Sequence, residues 1–471
     1  MKNMRHDVPG FVKNDVLFYL CSDIKGVKMG YSEATKRFLL AAKHAEISAL
    51  KRLLANCQVV NSVSVFIHQL QNERGTSNIF LASRCERFTK QRTDQILQSV
   101  LAEELLRSQF KAQYLIGHDT ADNMRLLNSI SIALQGMDHL PVLRHKIDSL
   151  AISPLNSSQA YCRLVAGLLN VVFEAADVAS DPAITRILVA MFNFMQGKEY
   201  TGQERAWGAI GFAETHFNQE LCERLEQLQV AQRNCFQIFL EFASQSDKQL
   251  WLELETSTPM KSIEQLRNMI RKLVDGSPIS AEISEVWYDV ATQRINQMHV
   301  MEESIAETLV NLANKRVKQA SAELRHHNKR LKMFADLAEN DDSSFSILFD
   351  STMPGLRGAE NLRELDFDAS NKLNISHSFY DLLRDQCKHI KKMADELNDA
   401  KCALTEQKTI DRARLLMMEQ LKLSEAEAYR LLQKRAMDNN IRIAEMADLI
   451  VKATSSNQSA VYKAKLQQMS M

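Results

Sequence analysis

The chain has 471 residues, with 58 Lys plus Arg against 58 Asp plus Glu and a formal net charge of zero. That length allows two or three domains with sizeable cores. A neutral balance excludes polyanion binding over the whole surface, so any nucleic-acid face must be local.

Only 14 Gly and 7 Pro are present, under half the usual share of turn-forming residues. Sheets need turns, so the expected fold is all-α. Eight cysteines, at positions 21, 57, 85, 162, 222, 235, 387 and 402, stand singly with no C-x-x-C pair. This is the pattern of reduced thiols in a cytosolic protein. The 12 histidines show no metal-ligand spacing. His326-His327 are sequential, and adjacent helical residues point in different directions. No secretory leader is read, and the most apolar stretches, Leu164–Phe173 and Ile184–Met195, are too short for a bilayer. A soluble, cytoplasmic protein is expected, with no metal and no cofactor. Without a triad, a paired-carboxylate site or a phosphate loop, an enzyme is not expected.

Residues 1–30, with Pro9, Gly10, Gly26 and Gly30, read as a loosely structured start. From Ser32 a helical pattern runs with few interruptions to about Ser108. Breaks then fall near Gly117–Asp122, Pro141, Ser153–Ser158, Ser180–Pro182, Gly197–Gly202, Ser257–Pro259 and Gly276–Pro278. Residues 31–300 thus become a series of amphipathic helices in one or two up-down bundles. From Ile279 to Met353 there is no Gly or Pro. One long helix is expected over 279–339, overlapping the end of the bundles. Its apolar positions (Ile305, Leu309, Leu312, then Ala320, Leu324, Leu331) keep heptad spacing only in part. A helix that leaves a bundle to pair is the expectation, in a homodimer, rather than a strict coiled coil. Residues 340–394 read as a linker or insertion, with a further amphipathic helix from Ser376 to about Ala403.

Two segments of the bundles look alike. Gln71-Asn72-Glu73-Arg74-Gly75 leads to Ile79 and Ala82; Gly202-Gln203-Glu204-Arg205-Ala206 leads to Ile210 and Ala213. Each gives Glu-Arg-small, an Ile five residues after the Arg and an Ala eight after it. Such a repeat suggests two related bundles. Val63, Phe66, Ile67, Leu70 and Phe80 surround Arg74, and Trp207 and Phe212 surround Arg205. A guanidinium in such company must pair. Either the adjacent Glu73 and Glu204 form salt bridges with these arginines, or the two forks hold a small anion.

This region resembles the NIT domain, the nitrate- and nitrite-sensing helical domain of bacterial receptors. The resemblance rests on His68-Gln69-Leu70-Gln71-x-Glu73-Arg74-Gly75-x-Ser77, on Gly202 to Ala206, and on Trp287 with Thr292-x-Arg294-Ile295. It implies Arg74 and Arg205 as nitrate ligands, with Arg267 and Arg294 as weaker candidates from later helices. Nitrate is planar with three equivalent acceptors and matches guanidinium forks. Three or four charge-assisted bonds of about 1.5–3 kcal/mol could supply the roughly 8 kcal/mol of a micromolar site.

From Thr409 to Ala453 there is again no Gly or Pro. Ile410, Ala413, Leu416 and Met417, then Ala428, Leu431 and Leu432, then Ile443, Ala447, Ile450 and Val451 recur at helical spacing. Ser424 and Glu427 form a capping-box signature. Three short helices closed on one small core are expected. The segment resembles the ANTAR module, a three-helix RNA-binding domain of bacterial antiterminators. The resemblance is carried by Ala413-Arg414 with an apolar triplet, Ser424-Glu425, Ala428-Tyr429, Ala436-Met437 and Asn440 through Ala447. Leu415 stands where that family usually has Gly. Residues 395–457 are assigned to the module. Its basic set is Arg412, Arg414, Arg430, Lys434, Arg435 and Arg442, with Tyr429 available to stack on an unpaired base. Arg414, Tyr429, Lys434 and Arg435 are the favoured RNA contacts, with Arg442 beside them.

Together the two resemblances imply a nitrate- or nitrite-responsive transcription antiterminator of the NasR type that binds a leader-RNA hairpin. Two alternatives stand beside it. One is a DNA-binding regulator, disfavoured because a helix-turn-helix often has Gly in its turn and none follows Gly358. The other is an oligomerisation adaptor, which leaves the paired Glu-Arg segments unexplained.

Overall fold

The computed structural model describes residues 33–115, 124–213, 217–272, 282–337, 376–421, 423, 425–439 and 441–455. The expectations for residues 1–30, for the breaks at Gly117–Asp122 and Gly276–Pro278, for most of the 340–394 linker and for the Ser424 cap lie outside those residues. Within them the chain is helical throughout, with no strand. In chain order the helices are α1 (Glu33–Ala82), α2 (Thr89–Phe110), α3 (Met124–Asp138), α4 (Leu140–Asp148), α5 (Pro154–Asp177), α6 (Pro182–Ala213), α7 (Gln219–Phe242), α8 (Gln245–Glu255), α9 (Thr258–Lys272), α10 (Glu282–Leu337), α11 (Ser376–Leu421), α12 (Glu425–Asp438) and α13 (Ile443–Ser455). A π-helical turn, Lys111–Leu115, extends α2.

Local chemistry explains most of the ends. Asp181 Oδ1 accepts from the backbone N–H groups of Ala183 and Ile184 and opens α6 ahead of Pro182. Ser153 caps α5 ahead of Pro154, Asn218 caps α7, and Ser244 with Asp247 forms a full capping box on α8. The break between α1 and α2 was not visible in the sequence, because no Gly marks it. Arg84 takes a left-handed conformation (φ 49°), and the Cys85 N–H returns to Phe80 O at 2.9 Å. Leu150 ends α4 in the same way (φ 57°), again where Gly is the usual residue.

The expected break at Gly197–Gly202 does not occur, and α6 runs 32 residues straight through it. Its glycines are points of close approach. A Cβ at Gly197 would meet the Phe236 ring, one at Gly208 the Trp287 indole, and one at Gly211 the Phe217 ring. The local cost of Gly in a helix, about 1 kcal/mol, is offset by packing that a side chain would prevent.

The chain forms two compact units, one of residues 1–47 and 319–392, the other of 48–318 and 393–471. In the first, Lys43 on α1 lies between Glu46 and Glu323. The second holds the main core, where Phe66, Ile67 and Leu70 of α1 pack with Val165 and Leu168 of α5, Met191 and Phe194 of α6, and Ile305 and Leu309 of α10. A smaller cluster gathers Phe212, Phe217, Leu221, Ile263, Leu266 and Trp287. A third core closes the C-terminal helices with Ala413, Met417, Ala428, Leu432, Ala436, Met446, Ala447 and Ile450, largely the apolar set read from the sequence. The first of the three helices expected there is not short. It is the end of α11, which is 46 residues long.

Candidate anion site and RNA-binding module

Both Glu-Arg segments lie near the C-terminal ends of their helices, α1 and α6, and they pack reciprocally. A Cβ on Gly202 would meet Arg74 Nη2 at 2.5 Å; a Cβ on Gly75 would meet Arg205 Nη2 at 2.8 Å. Each arginine thus lies over the glycine of the other segment, which gives the glycines of both motifs a physical reason. Both side chains are buried, Arg74 at 1% and Arg205 at 2% exposure.

Their partners are not the adjacent glutamates expected for a salt bridge. Glu73 is held by a fork from Arg144, whose Nε and Nη2 donate at 2.8 and 2.9 Å, and by the Tyr161 hydroxyl at 2.8 Å. Glu204 is held in the same way by Arg267, whose Nε and Nη2 both donate at 2.7 Å, with Gln229 and Gln232 beside it. The repeat therefore extends beyond sequence: in each half a later arginine neutralises the motif glutamate and leaves the motif arginine for another task. Sequential residues on a helix point about 100° apart, so Glu73 and Arg74 serve different faces.

Arg74 pairs with Glu199 of α6. Nη1 donates to Oε1 at 2.5 Å and Nη2 to Oε2 at 3.2 Å, while Nη1 also reaches Cys162 Sγ at 2.9 Å. Burial alone would lower the pKa of Arg74, but Cys162 and Glu199 hold it above the usual value. Arg74 Nε is buried without a hydrogen-bond partner. Among the described residues Arg205 forms no ion pair. It donates from Nη1 to Thr292 Oγ1 and from Nη2 to the Gln71 carbonyl, both at 3.0 Å, and its guanidinium lies 5.1 Å from the centre of the Tyr288 ring. Burial lowers its pKa and the Arg74 charge adds to that, partly opposed by Tyr288 and Glu199. Trp287 fixes the same turn of α6 by donating its indole N–H to Arg205 O at 3.0 Å.

Arg267 and Arg294 do not join this pair. Both gather on Glu204, Arg294 at 3.7 Å. The Arg294 pKa is pushed down to about 10 by burial and by Arg267. Sequence reasoning missed Glu199, Cys162, Gln203 and Tyr288. Glu199 sits between two glycines that read as a helix break, which hid a buried acid inside a continuous helix.

A second polar layer lies beside the arginines. Lys198 and Glu302 form a fully buried ion pair, and Ser64 Oγ donates to Glu302 at 2.5 Å. The His68 and His299 rings stack 3.5 Å apart. Burial first, then Lys198 and His299, push the His68 pKa down to about 2.

In the C-terminal module, Lys434 on α12 is exposed, and so is Arg442, which pairs with Glu406 and Glu445. Arg435 is buried at 8% exposure and belongs to the packing of the module. Tyr429 is turned inward to α7: Asn234 Nδ2 donates to its hydroxyl at 3.0 Å. Arg414 pairs with Asp411. Both stand near Cys235, whose thiol is pushed up to about 12 by burial and by Asp411. Lys408 completes the contact, 3.2 Å from Glu174 and 5.1 Å from the centre of the Phe173 ring. Two of the four favoured RNA contacts therefore face the sensor helices.

A helical bundle with two reciprocal buried arginines, carrying a three-helix module on α7, is a small-ligand sensor joined to an effector. The profile of the nitrate and nitrite sensing family, NIT, matches residues 66–310, more than half of the chain. That of the ANTAR domain matches residues 398–451. The chain therefore belongs to the NIT family and carries an ANTAR domain, the composition of regulators of the NasR type. A "Nitrate regulatory protein" of Klebsiella oxytoca is 28% identical over 407 residues, covering 86% of this chain and 92% of that protein. The solved structure of the NasR transcription antiterminator superposes with a TM-score of 0.52 at 26% identity, over 89% of this chain and 98% of that one. No helix among the described residues is long and apolar enough to cross a membrane.

Proposed function

We propose that this protein is a one-component antitermination regulator in which nitrate or nitrite binds between Arg74 and Arg205 and the ANTAR module binds a leader-RNA hairpin. The observation that carries this reading is the reciprocal packing of Arg74 over Gly202 and Arg205 over Gly75. It brings two guanidinium groups together with the Glu199 carboxylate that pairs with Arg74, among the described residues an excess of a single positive charge that suits a monovalent anion. Arg267 and Arg294 support the site by holding Glu204. Regulation needs no catalysis and no cofactor, and the protein works in the cytoplasm. A homodimer is favoured by Leu97, Leu101 and Leu105, which form an exposed apolar row at four-residue spacing on α2.

Calorimetry with nitrate, nitrite, chloride and sulfate tests the site. Wild-type protein should bind the first two, while Arg74→Ala and Arg205→Ala should abolish binding with helix content retained. Undiminished nitrate affinity in both variants refutes the assignment.

A further inference from the structure

We infer that Glu199 is a tethered competitor that occupies the effector's place on Arg74 and sets the nitrate concentration at which the sensor responds. This deepens the proposed nitrate site and rests on it. The Glu199 carboxylate is buried at 2% exposure and receives four hydrogen bonds: two from the Arg74 fork, one from Gln71 Nε2 at 2.9 Å and one from Gln203 Nε2 at 3.0 Å. A carboxylate offers two coplanar oxygens to a fork, and nitrate offers the same edge with a third oxygen behind it. The donors that hold Glu199 are thus the donors a bound nitrate would use. Arg205, the other half of the site, has among the described residues the neutral acceptors Thr292 and Gln71 and no carboxylate, and is ready for an anion. An incoming nitrate gains Arg205 by replacing neutral acceptors but gains the Arg74 fork only as the charged Glu199 withdraws.

The same geometry suggests how binding moves the helix. Glu199 lies on α6 between Gly197, in close approach to Phe236, and Gly202, in close approach to Arg74. Releasing its carboxylate from Arg74 removes the ion pair between α6 and α1 at this level and leaves the Arg205–Gln71 bond. The competition therefore couples occupancy to an arrangement of helices, which a preformed, vacant site would not do.

The test is nitrate titration of the full-length protein, wild type beside Glu199→Gln, by calorimetry and by thermal unfolding with and without nitrate. Glu199→Gln removes the competing charge and the second acceptor. Nitrate affinity should rise at least tenfold while nitrate-free stability falls, two changes of opposite sign. A merely structural role would lower both together. Glu199→Asp keeps the charge but is one methylene shorter, and should shift affinity the same way by a smaller factor. Wild-type binding with unchanged or weaker affinity in both variants overturns this inference and leaves the nitrate site standing. Nitrate binding by neither wild type nor Glu199→Gln overturns both. Binding by Glu199→Gln alone supports both, the competitor then being dominant.

Discussion

Gly202→Ala adds one methyl group, and its consequences follow from distances in the site. The new Cβ would lie 2.5 Å from Arg74 Nη2, inside any acceptable contact, so the guanidinium must move. The methyl itself favours the helix by about 1 kcal/mol. Displacing Nη2 costs one charge-assisted hydrogen bond to Glu199, about 1.5–3 kcal/mol. Net destabilisation should therefore be modest, about 0.5–2 kcal/mol, a small shift in a denaturant midpoint. Nitrate binding should suffer more, because a fork displaced from its edge no longer donates twice; a loss of ~1.5–3 kcal/mol is roughly 10- to 100-fold in affinity. Gly75→Ala should act alike on Arg205, where the added Cβ would lie 2.8 Å from both Arg205 Nη2 and the Tyr288 hydroxyl. Calorimetry beside urea unfolding separates the two effects. If both variants gain stability and bind nitrate like wild type, the arginines are not the ligands and the crossing is only packing.

Acid should weaken the fold through His68. Its folded pKa, about 2, lies below the ordinary 6.5, so the unfolded chain binds the proton first and stability is full above pH 6.5 and falls below it, by about 2 kcal/mol at pH 5. Glu302, held near 2 by Lys198 against the effect of burial, adds to the loss below about pH 4.5. His68→Gln should flatten the slope between pH 5 and 6.5, and an unchanged slope refutes the assignment. In the module, Lys434→Ala should reduce leader-RNA affinity and the steepness of its salt dependence, whereas Arg435→Ala should chiefly lower the module's stability; gel shifts beside thermal melts distinguish the two. Asn234→Ala removes the hydrogen bond to Tyr429 and should raise RNA affinity of the nitrate-free protein toward that of the nitrate-bound form, and no change would show that this contact does not restrain the module.

Fold class, the two arginines and the core of the C-terminal module were legible because they rest on local regularities: few turn residues, a repeated Glu-Arg pair and helical apolar spacing. What escaped was set by tertiary contact. The break after Ala82 uses non-glycine residues in left-handed caps, and the expected break at Gly197–Gly202 was a helix whose glycines admit Phe236 and Arg74. The pairing of Glu73 with Arg144 and of Glu204 with Arg267 joins residues 71 and 63 positions apart, which no spacing rule could find. Tyr429 and Arg414 read as a nucleic-acid face from their types and from the ANTAR resemblance. Their orientation toward α7 follows only from how α11 and α12 pack.

That orientation gives the two ends of the protein a shared element. Glu199 and Gly197 lie on one turn of α6, and Gly197 is where α6 and α7 approach so closely that a Cβ would stand 2.6 Å from the Phe236 ring. Phe236 is two residues from Asn234, which holds Tyr429. A shift of α6 as Glu199 leaves Arg74 must therefore be accommodated by α7 at the point where the RNA module is held. Close-packed contacts of this kind do not deform smoothly; they repack between discrete arrangements. Nitrate can bias that equilibrium only by its differential affinity for the two arrangements, a coupling typically worth 1–3 kcal/mol. If leader RNA competes with Asn234 for Tyr429, reciprocity requires that it tighten nitrate binding by the same factor.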